Sequence, residues 1–161
     1  MNYTIVYYTR DGSTGIAADY LADVTKGKKV QLEAGKYLNN FILGGFNSAS
    51  KKLPKLKGDP WSGISDAEAV ILASPVWAGN GNPAMNSFID QADFSGKKVY
   101  ILSLQADPGK KAQNSVLPLV AEAVKSHGGE VAGMLAIHGT SPGKRAEKDY
   151  IENQLKDWKL S

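Results

Sequence analysis

The N-terminal part of the chain places three kinds of segment directly one after another. Residues 2–8 form an apolar run rich in β-branched and aromatic side chains, and the Gly/Ser/Thr loop Thr9–Gly15 follows it. The next segment has helical periodicity, with an apolar face formed by Ile16, Ala17, Tyr20, Leu21 and Val24. A buried strand that turns through such a loop into a helix directs amides, hydroxyls and the positive end of the helix dipole toward an anion. We therefore predict a phosphate-binding loop.

Five apolar segments have the length and composition of β-strands. They are Asn2–Thr9, Lys29–Glu33, Ala67–Ser74, Lys97–Leu104 and Glu130–His138. The apolar residues at 5–8, 69–73 and 99–102 are nearly continuous instead of alternating with polar ones. Such runs are typical of strands covered on both faces, as in a parallel sheet.

Helical patterns separate these strands. Asn82 is suited to cap a helix that begins with Pro83. An apolar stripe over residues 112–124, which Pro118 would kink, predicts another helix. The last helical pattern carries Ala146, Tyr150, Ile151, Leu155 and Trp158. The alternation predicts an α/β protein with a parallel sheet between helices on both faces.

The 161 residues are enough for one domain with a sizeable core, and we assign residues 1–161 to a single domain.

One stretch of the chain interrupts the alternation of strands and helices. Residues 34–63 form an irregular insertion in it, where a simple alternation would place the second helix. We expect a short helix over Tyr37–Phe46 and a mostly irregular loop from Ser48 to Gly63, since that part is rich in Lys, Pro and Gly.

Composition excludes several kinds of chemistry. The sequence has no cysteine and two histidines, so disulfides, thiolate nucleophiles and cysteine-bound metals are excluded, and a histidine-rich metal site is not expected. Redox chemistry would therefore need a bound organic cofactor. The net charge of +3 comes from scattered lysines, which indicate a solvated surface and not a nucleic-acid interface. Without a signal peptide or a membrane-spanning run, we expect a cytoplasmic protein.

Three segments follow strand ends and are expected to meet, because the carboxyl ends of parallel strands share one edge of the sheet, where ligands bind. They are Thr9–Thr14, Ser74–Asn82 and Ser103–Gly109. The second combines several Gly and Asn residues with one large aromatic, Trp77, and such a loop suits a flat heteroaromatic ring. The alternative is that Trp77 belongs to the apolar core.

These motifs resemble the flavodoxin family over essentially the whole chain. The resemblance implies a flavodoxin-like three-layer sandwich with a five-stranded parallel sheet of order 2-1-3-4-5, and FMN as cofactor. It also implies three groups of cofactor contacts. The phosphate would be held by Thr9, Arg10, Asp11, Gly12, Ser13 and Thr14. The isoalloxazine ring and ribityl chain would be lined by Pro75, Val76, Trp77, Ala78, Gly79 and Asn80. The pyrimidine side of the ring would contact Ser103, Leu104, Gln105 and Ala106.

The chain departs from the family pattern at two places. Asp11 stands where many relatives have Thr or Ser, and a carboxylate beside a phosphate carries an electrostatic cost unless it points away or caps a loop amide. Menaquinone-dependent protoporphyrinogen oxidases, which are flavodoxin-like, have a similar Thr-Arg-Asp-Gly pattern. The loop Ser103–Gly109 lacks the aromatic that often covers the outer ring face, so that face is expected to be open. His138 is the one histidine near the predicted site, either as a proton donor or in a structural role.

Other proteins with related folds or loops are excluded by single residues. Response-regulator receivers need an Asp where strand three of this chain ends in Ser74-Pro75, and low-molecular-weight tyrosine phosphatases need a cysteine in the first loop. Residues 139–145 do not complete a Walker A motif, and residues 12–15 do not form a dinucleotide fingerprint.

The sequence leaves the function open between three classes. We favour an electron-transfer protein, because no substrate pocket is evident in the sequence. The alternative is an FMN-dependent oxidoreductase that reduces quinones or similar acceptors with NAD(P)H, and the third is a partner-binding protein that has lost the cofactor. The expected partners are a redox protein or a small-molecule acceptor, and the chain is expected to be a monomer or homodimer.

Overall fold

The computed structural model describes residues 1–35, 53–77, 81–141 and 143–161. Its elements, in chain order, are β1 (Tyr3–Tyr7), α1 (Ser13–Thr25), β2 (Lys28–Gln31), a 3-10 turn (Trp61–Ile64), β3 (Ala69–Pro75), α2 (Pro83–Gln91), β4 (Lys98–Gln105), α3 (Ala112–Ser115), α4 (Leu117–Ser126), β5 (Glu130–His138) and α5 (Lys148–Leu155). The strand bounds agree with the predicted ones to within two residues.

The five strands form a parallel sheet in the order β2-β1-β3-β4-β5. This confirms the predicted 2-1-3-4-5 order. Because the strands are parallel, the loops after β1, β3, β4 and β5 leave the sheet at the same edge, which we call the carboxyl edge. The fold thus brings together segments that are far apart in sequence.

Helices cover both faces of the sheet over two separate apolar cores. On one face α1 and α5 pack over a core that includes Ile71, and on the other α2 and α4 pack over a core that includes Val70. These two neighbours in β3 are both fully buried, because successive side chains of a strand point to opposite faces. Burial on both faces explains why the strand sequences are continuously apolar.

The predicted helices form with two local differences. Asn82 caps α2 through a hydrogen bond from the Met85 backbone N–H to its side chain (3.1 Å), and Pro83 lies in the first turn as predicted. The stripe at 112–124 is divided between α3 and α4, which meet at Val116. Val24, on the apolar face of the α1 pattern, is 54% exposed, because it lies in the last turn of α1, where the chain turns away at left-handed Lys26.

Tyr150 also departs from the predicted apolar face of the last helix, since it is 46% exposed. It lies in the first turn of α5, and its hydroxyl contacts the ring of His138 at the end of β5. The buried residues of α5 are Ile151 and Leu155, as predicted. The helix is therefore anchored through its later turns, while its first turn reaches toward the carboxyl edge.

The described part of the predicted insertion is attached to the fold at both ends. Ala34 pairs with Leu56 in an isolated antiparallel bridge, and the 3-10 turn brings Trp61 onto α2. The Trp61 ring stacks on Phe88 with centroids 6.2 Å apart, and its indole N–H donates to the Phe88 carbonyl at 3.0 Å. The helix predicted over Tyr37–Phe46 lies outside the described residues. Assignment of the whole chain to one domain stays a prediction.

Helix α4 offers a direct test of the core on its face of the sheet. Leu117 is 1% exposed and Leu119, two residues later, is 68% exposed. We expect Leu117→Ala to lower the free energy of unfolding by about 2–5 kcal/mol, because it removes buried apolar surface and leaves a cavity. Leu119→Ala is the matched control and should change it by less than about 0.5 kcal/mol. Urea unfolding measures both, and equal losses would contradict the packing described for α4.

Candidate functional site

A cavity of about 290 Å³ opens at the carboxyl edge of the sheet. Its walls come from the loops after β1, β3, β4 and β5. The lining residues are Thr9, Arg10, Asp11, Ser13, Thr14, Pro75, Val76, Trp77, Leu104, Gln105, Ala106, Asp107, Gly139, Thr140 and Lys144. The volume is close to the lower end of the range for small-molecule pockets, about 300–1,000 Å³.

The loop after β1 presents the N-terminus of α1 to this cavity. Gly12 begins the helix in a left-handed conformation (φ 94°), and the Thr9 hydroxyl oxygen accepts a hydrogen bond from the Gly12 N–H at 3.1 Å. Within the residues that the structure describes, no side chain caps this helix. The backbone amides of residues 13–15 precede the first helical hydrogen bond, from Ile16 N–H to the Gly12 carbonyl, so their donors are not used inside the helix.

Two hydroxyls in this loop keep their hydrogens available. The Thr9 oxygen accepts from Gly12, and the Ser13 oxygen accepts from the Ala146 N–H at 2.9 Å. A hydroxyl that accepts a hydrogen bond retains its own O–H for donation. Thr14 adds a third hydroxyl that is nearly fully buried and lines the cavity. The loop therefore combines helix amides and hydroxyl donors, the groups that bind a phosphate without metal.

Asp11 is held by the loop between β5 and α5, which is described at residues 139–141 and 143–147 and called here the β5–α5 loop. One Asp11 carboxylate oxygen accepts a hydrogen bond from the Gly143 N–H at 3.1 Å, and the other lies 3.9 Å from the Arg10 Nε. This is the capping of a loop amide that the sequence left open as one of two arrangements. The contact ties the loop after β1 to a segment 132 residues further along the chain.

The β5–α5 loop also closes over Gly12. A Cβ atom at Gly12 would lie 3.1 Å from the Arg145 Cδ, so the aliphatic part of Arg145 packs against the glycine. The positive φ of Gly12 favours glycine independently. Lys144, from the same loop, lines the cavity together with Arg10. The cations offset the negative charge of Asp11, which also lines this side of the cavity, and the N-terminus of α1 makes that side suited to an anion.

Trp77 serves both as a core residue and as a wall of the cavity. It is 6% exposed, meets Tyr8 edge to face with centroids 5.5 Å apart, and belongs to the core that α2 and α4 cover. The Arg10 guanidinium lies 5.8 Å from its ring centroid. Burial raises the pKa of Tyr8 to about 12, with Arg10 lowering it and Asp11 raising it, so Tyr8 stays neutral at ordinary pH.

Gln105, at the end of β4, has a side chain with one free end. Its Oε1 accepts a hydrogen bond from the Ala112 N–H at 3.0 Å, while its buried Nε2 has no partner among the described residues. Ser103 Oγ and Asn82 Nδ2 are likewise unpartnered in that part of the chain, but they line a separate cavity of about 10 Å³. That is close to the space one water needs.

The remainder of the loop after β4 is shaped by a turn and by a histidine. The Asp107 carboxylate accepts from the Gly109 N–H at 3.1 Å and from the Lys111 N–H at 3.4 Å.

His138 Nε2 lies 3.2 Å from the Ala106 carbonyl, and its Nδ1 lies 2.6 Å from the Tyr150 hydroxyl. A carbonyl oxygen can only accept, so Nε2 carries the hydrogen there. His138 does not line the cavity, and its contacts are those of the structural role.

Most of the site residues predicted from the sequence meet in one place. Of the predicted residues, Gly12 forms the loop without lining the cavity, Ser103 faces the smaller cavity, and Ala78, Gly79 and Asn80 lie outside the described residues. The sequence analysis missed Asp107, Gly139, Thr140 and Lys144. The signal for Gly139 and Thr140 was available, because they directly follow a predicted strand whose end belongs to the carboxyl edge.

Two features are absent from the described residues. No group of three or more His, Asp or Glu side chains in them is placed to hold a metal ion. None of the helices in those parts of the chain has the length and apolar character needed to cross a bilayer.

Several solved structures have the same fold. A Bacteroides uniformis protein that is provisionally named a flavoprotein superposes with a TM-score of 0.74 at 16% identity, covering 97% of this chain and 98% of its own. A WrbA-like flavodoxin of Agrobacterium tumefaciens gives 0.64 at 19% identity, covering 96% and 91%. A Lactobacillus acidophilus flavoprotein, solved in complex with FMN, gives 0.61 at 14% identity, covering 84% and 92%.

Sequence comparison identifies the family of the chain. No curated protein sequence matches the chain. A family model does match: residues 7–141 fit that of the NADPH-dependent FMN reductases, and these residues include all the residues that line the cavity except Lys144. The cavity also has donors suited to the phosphate of FMN, namely the amides at the start of α1 and the hydroxyls of the loop before it. The chain therefore belongs to the NADPH-dependent FMN reductase family and is a flavodoxin-like flavoprotein that binds FMN.

Proposed function

We propose that the carboxyl-edge cavity is the FMN site and that the phosphate lies at the N-terminus of α1. The amides of residues 13–15 and the hydroxyls of Thr9, Ser13 and Thr14 supply its donors. The loops after β3 and β4 supply the walls for the ring, with Trp77 on one side. This arrangement keeps the site residues predicted from the sequence as the cofactor contacts, and adds Lys144 of the β5–α5 loop.

We further propose that the protein is an FMN-dependent oxidoreductase that uses NAD(P)H to reduce quinones or similar acceptors. The family match over residues 7–141 carries this proposal. Bound FMN supplies the hydride and electron transfer, and the chain supplies binding, orientation and access. Access is favoured by the loop after β4, whose cavity-lining residues Leu104, Gln105, Ala106 and Asp107 include no aromatic to cover the ring.

The second candidate is the electron carrier favoured by the sequence analysis. The observation that supports it is a group of exposed cations beside the cavity: Lys110, Lys111, Lys144 and Arg145. Exposed charge of one sign around a redox site steers an oppositely charged protein toward it. The partner of such a carrier would therefore present an acidic surface.

Turnover with pyridine nucleotides separates the two candidates. We expect the FMN-loaded protein to oxidise NADPH or NADH at a rate that rises when a soluble quinone is added, and well above the rate of free FMN at the same concentration. Absorbance of the nucleotide measures this. A protein that holds FMN but is not reduced by either nucleotide, and that accepts electrons from a chemical reductant in two well-separated steps, would contradict the oxidoreductase and support the carrier.

Thr14→Val tests the position of the phosphate. The change keeps the shape of the side chain and removes a hydroxyl, and a hydrogen bond to a charged group contributes about 1.5–3 kcal/mol. We expect FMN affinity to fall by at least about tenfold, the equivalent of 1.4 kcal/mol. Riboflavin, which lacks the phosphate, is the internal control and should bind both proteins equally. A parallel loss of riboflavin affinity, measured by fluorescence quenching, would place the phosphate elsewhere.

Asp11→Asn tests the cost of a carboxylate in the phosphate loop. The amide oxygen can still accept from Gly143, so the loop contact is retained while the negative charge is removed. We expect FMN to bind about two- to fivefold more tightly, as for a partly exposed charge pair. Asp19→Asn, on the exposed side of α1 where Asp19 pairs with Lys29, is the control and should leave affinity unchanged. Titration of FMN into both variants measures the effect, and weaker binding by Asp11→Asn would contradict it.

A further inference from the structure

The ring of His138 connects helix α5 to the loop after β4. Its Nε2 lies 3.2 Å from the Ala106 carbonyl oxygen, and its Nδ1 lies 2.6 Å from the Tyr150 hydroxyl. Because the carbonyl oxygen can only accept, Nε2 carries the hydrogen, and Nδ1 of the neutral ring is then an acceptor for the Tyr150 O–H. The two bonds therefore run in one direction, from Tyr150 through His138 to Ala106.

Helix α5 also holds the backbone of His138. The Gln154 side chain accepts from the His138 N–H at 2.9 Å and donates to the His138 carbonyl at 2.8 Å. Gln154 lies one helical turn after Tyr150, so both contacts come from the same face of α5. The helix itself is anchored on the sheet by Ile151 and Leu155, which are buried. Both the backbone and the ring of His138 are therefore fixed by α5.

The bond from His138 turns the Ala106 carbonyl out of the strand pattern. Successive carbonyls of an extended strand point to opposite neighbours. The Gln105 carbonyl accepts from the Gly139 N–H at 2.9 Å, on the side of β5, so a continued strand would direct the Ala106 carbonyl away from β5. It instead accepts from a side chain of β5. His138 thus holds the chain at the point where it leaves β4.

This bond decides which group of the 106–107 peptide is directed toward the cavity. Ala106 and Asp107 both line the cavity, whereas His138 does not. The peptide is trans, so its carbonyl and its N–H point in opposite directions. With the Ala106 carbonyl held outside the cavity by His138, the Asp107 N–H is directed to the cavity side. A reversed peptide would place an acceptor there instead of a donor.

We propose that His138 and Tyr150 are positioning residues, which keep the 106–107 peptide in the orientation that offers the cofactor a donor. The inference rests on the FMN site proposed above. Neither side chain lines the cavity, so both act through the Ala106 carbonyl. An acceptor turned toward the ring would be unfavourable beside the negative charge that reduction adds. The pair therefore favours the reduced cofactor as well as binding.

His138→Leu and His138→Gln form the informative pair. Leu removes the ring donor, whereas the Gln side-chain amide carries an N–H that can still donate to the Ala106 carbonyl. We expect His138→Leu to lower the affinity for FMN and for riboflavin alike by about two- to tenfold, the range for one neutral hydrogen bond, because the contact is at the ring end. His138→Gln should restore both affinities to near the wild-type values. Flavin fluorescence quenching measures them.

The reduction potential gives a second readout. We expect a more negative potential in His138→Leu, by about 15–30 mV for a three- to tenfold greater loss of the reduced form in a two-electron couple. Anaerobic equilibration with a reference dye measures it, and His138→Gln should again lie near the wild type. Tyr150→Phe, at an exposed position, is the second variant if His138→Leu does not fold. It removes the O–H that orients the ring and should shift both quantities in the same direction by less.

His127→Leu is the matched control. The His127 ring also contacts backbone carbonyls, those of Ala123 at 2.8 Å and Asp90 at 3.1 Å. It follows α4 and precedes β5, so it lies at the edge of the sheet opposite the cavity. The control is expected to leave flavin affinity and potential unchanged, whatever it does to stability.

Four outcomes would overturn the inference. Wild-type affinity and potential in both His138→Leu and Tyr150→Phe would remove the positioning role and leave the proposed FMN site intact. Failure of His138→Gln to restore either quantity would mean that the N–H donor is not what acts. Equal shifts in His127→Leu would assign the effect to general loss of stability. Wild-type protein that binds no FMN would overturn the proposed site, and this inference with it.

Discussion

The parallel register of the sheet is the constraint on which the site depends. Because each strand runs in the same direction, the loops after β1, β3, β4 and β5 all leave at one edge, although they are far apart in sequence. Two apolar cores, one on each face, hold this register. A shift of one residue in any strand would move its side chains from one core to the other. The packing that stabilises the fold therefore also fixes the relative positions of the loops.

Contacts between the β5–α5 loop and the start of α1 hold together two cavity walls that are far apart in sequence. The β5–α5 loop reaches the start of α1 through Gly143 on Asp11 and Ala146 on Ser13. A charged residue that is unfavourable beside a phosphate therefore has a structural use, since it binds the amide of the loop that closes the cavity. The Ala146 N–H donates to the Ser13 hydroxyl oxygen and leaves its hydrogen available, so the β5–α5 loop and the loop after β1 hold each other in place.

Much of the fold could be predicted from the sequence because its signals are local. The continuous apolar runs mark strands buried on both faces, and Asn82-Pro83 marks a helix start that the structure confirms. The exposure of Val24 could not be predicted in the same way, because helical periodicity does not show where a helix extends past the core. Lys144 and Asp107 were missed for a related reason: which loop side chains turn into a cavity depends on contacts across the whole chain.

An anion in the cavity would be held by the dipoles of backbone amides and hydroxyls and not by a net formal charge. The charged residues that line it are Arg10, Asp11, Asp107 and Lys144, two cations and two anions whose formal charges cancel. A phosphate in this site therefore depends on the α1 amides and the hydroxyls of Thr9, Ser13 and Thr14, which carry directed partial charges. Directed donors fix position as well as affinity. A cofactor anchored in this way at one end would present its ring to the loop after β4 in one orientation.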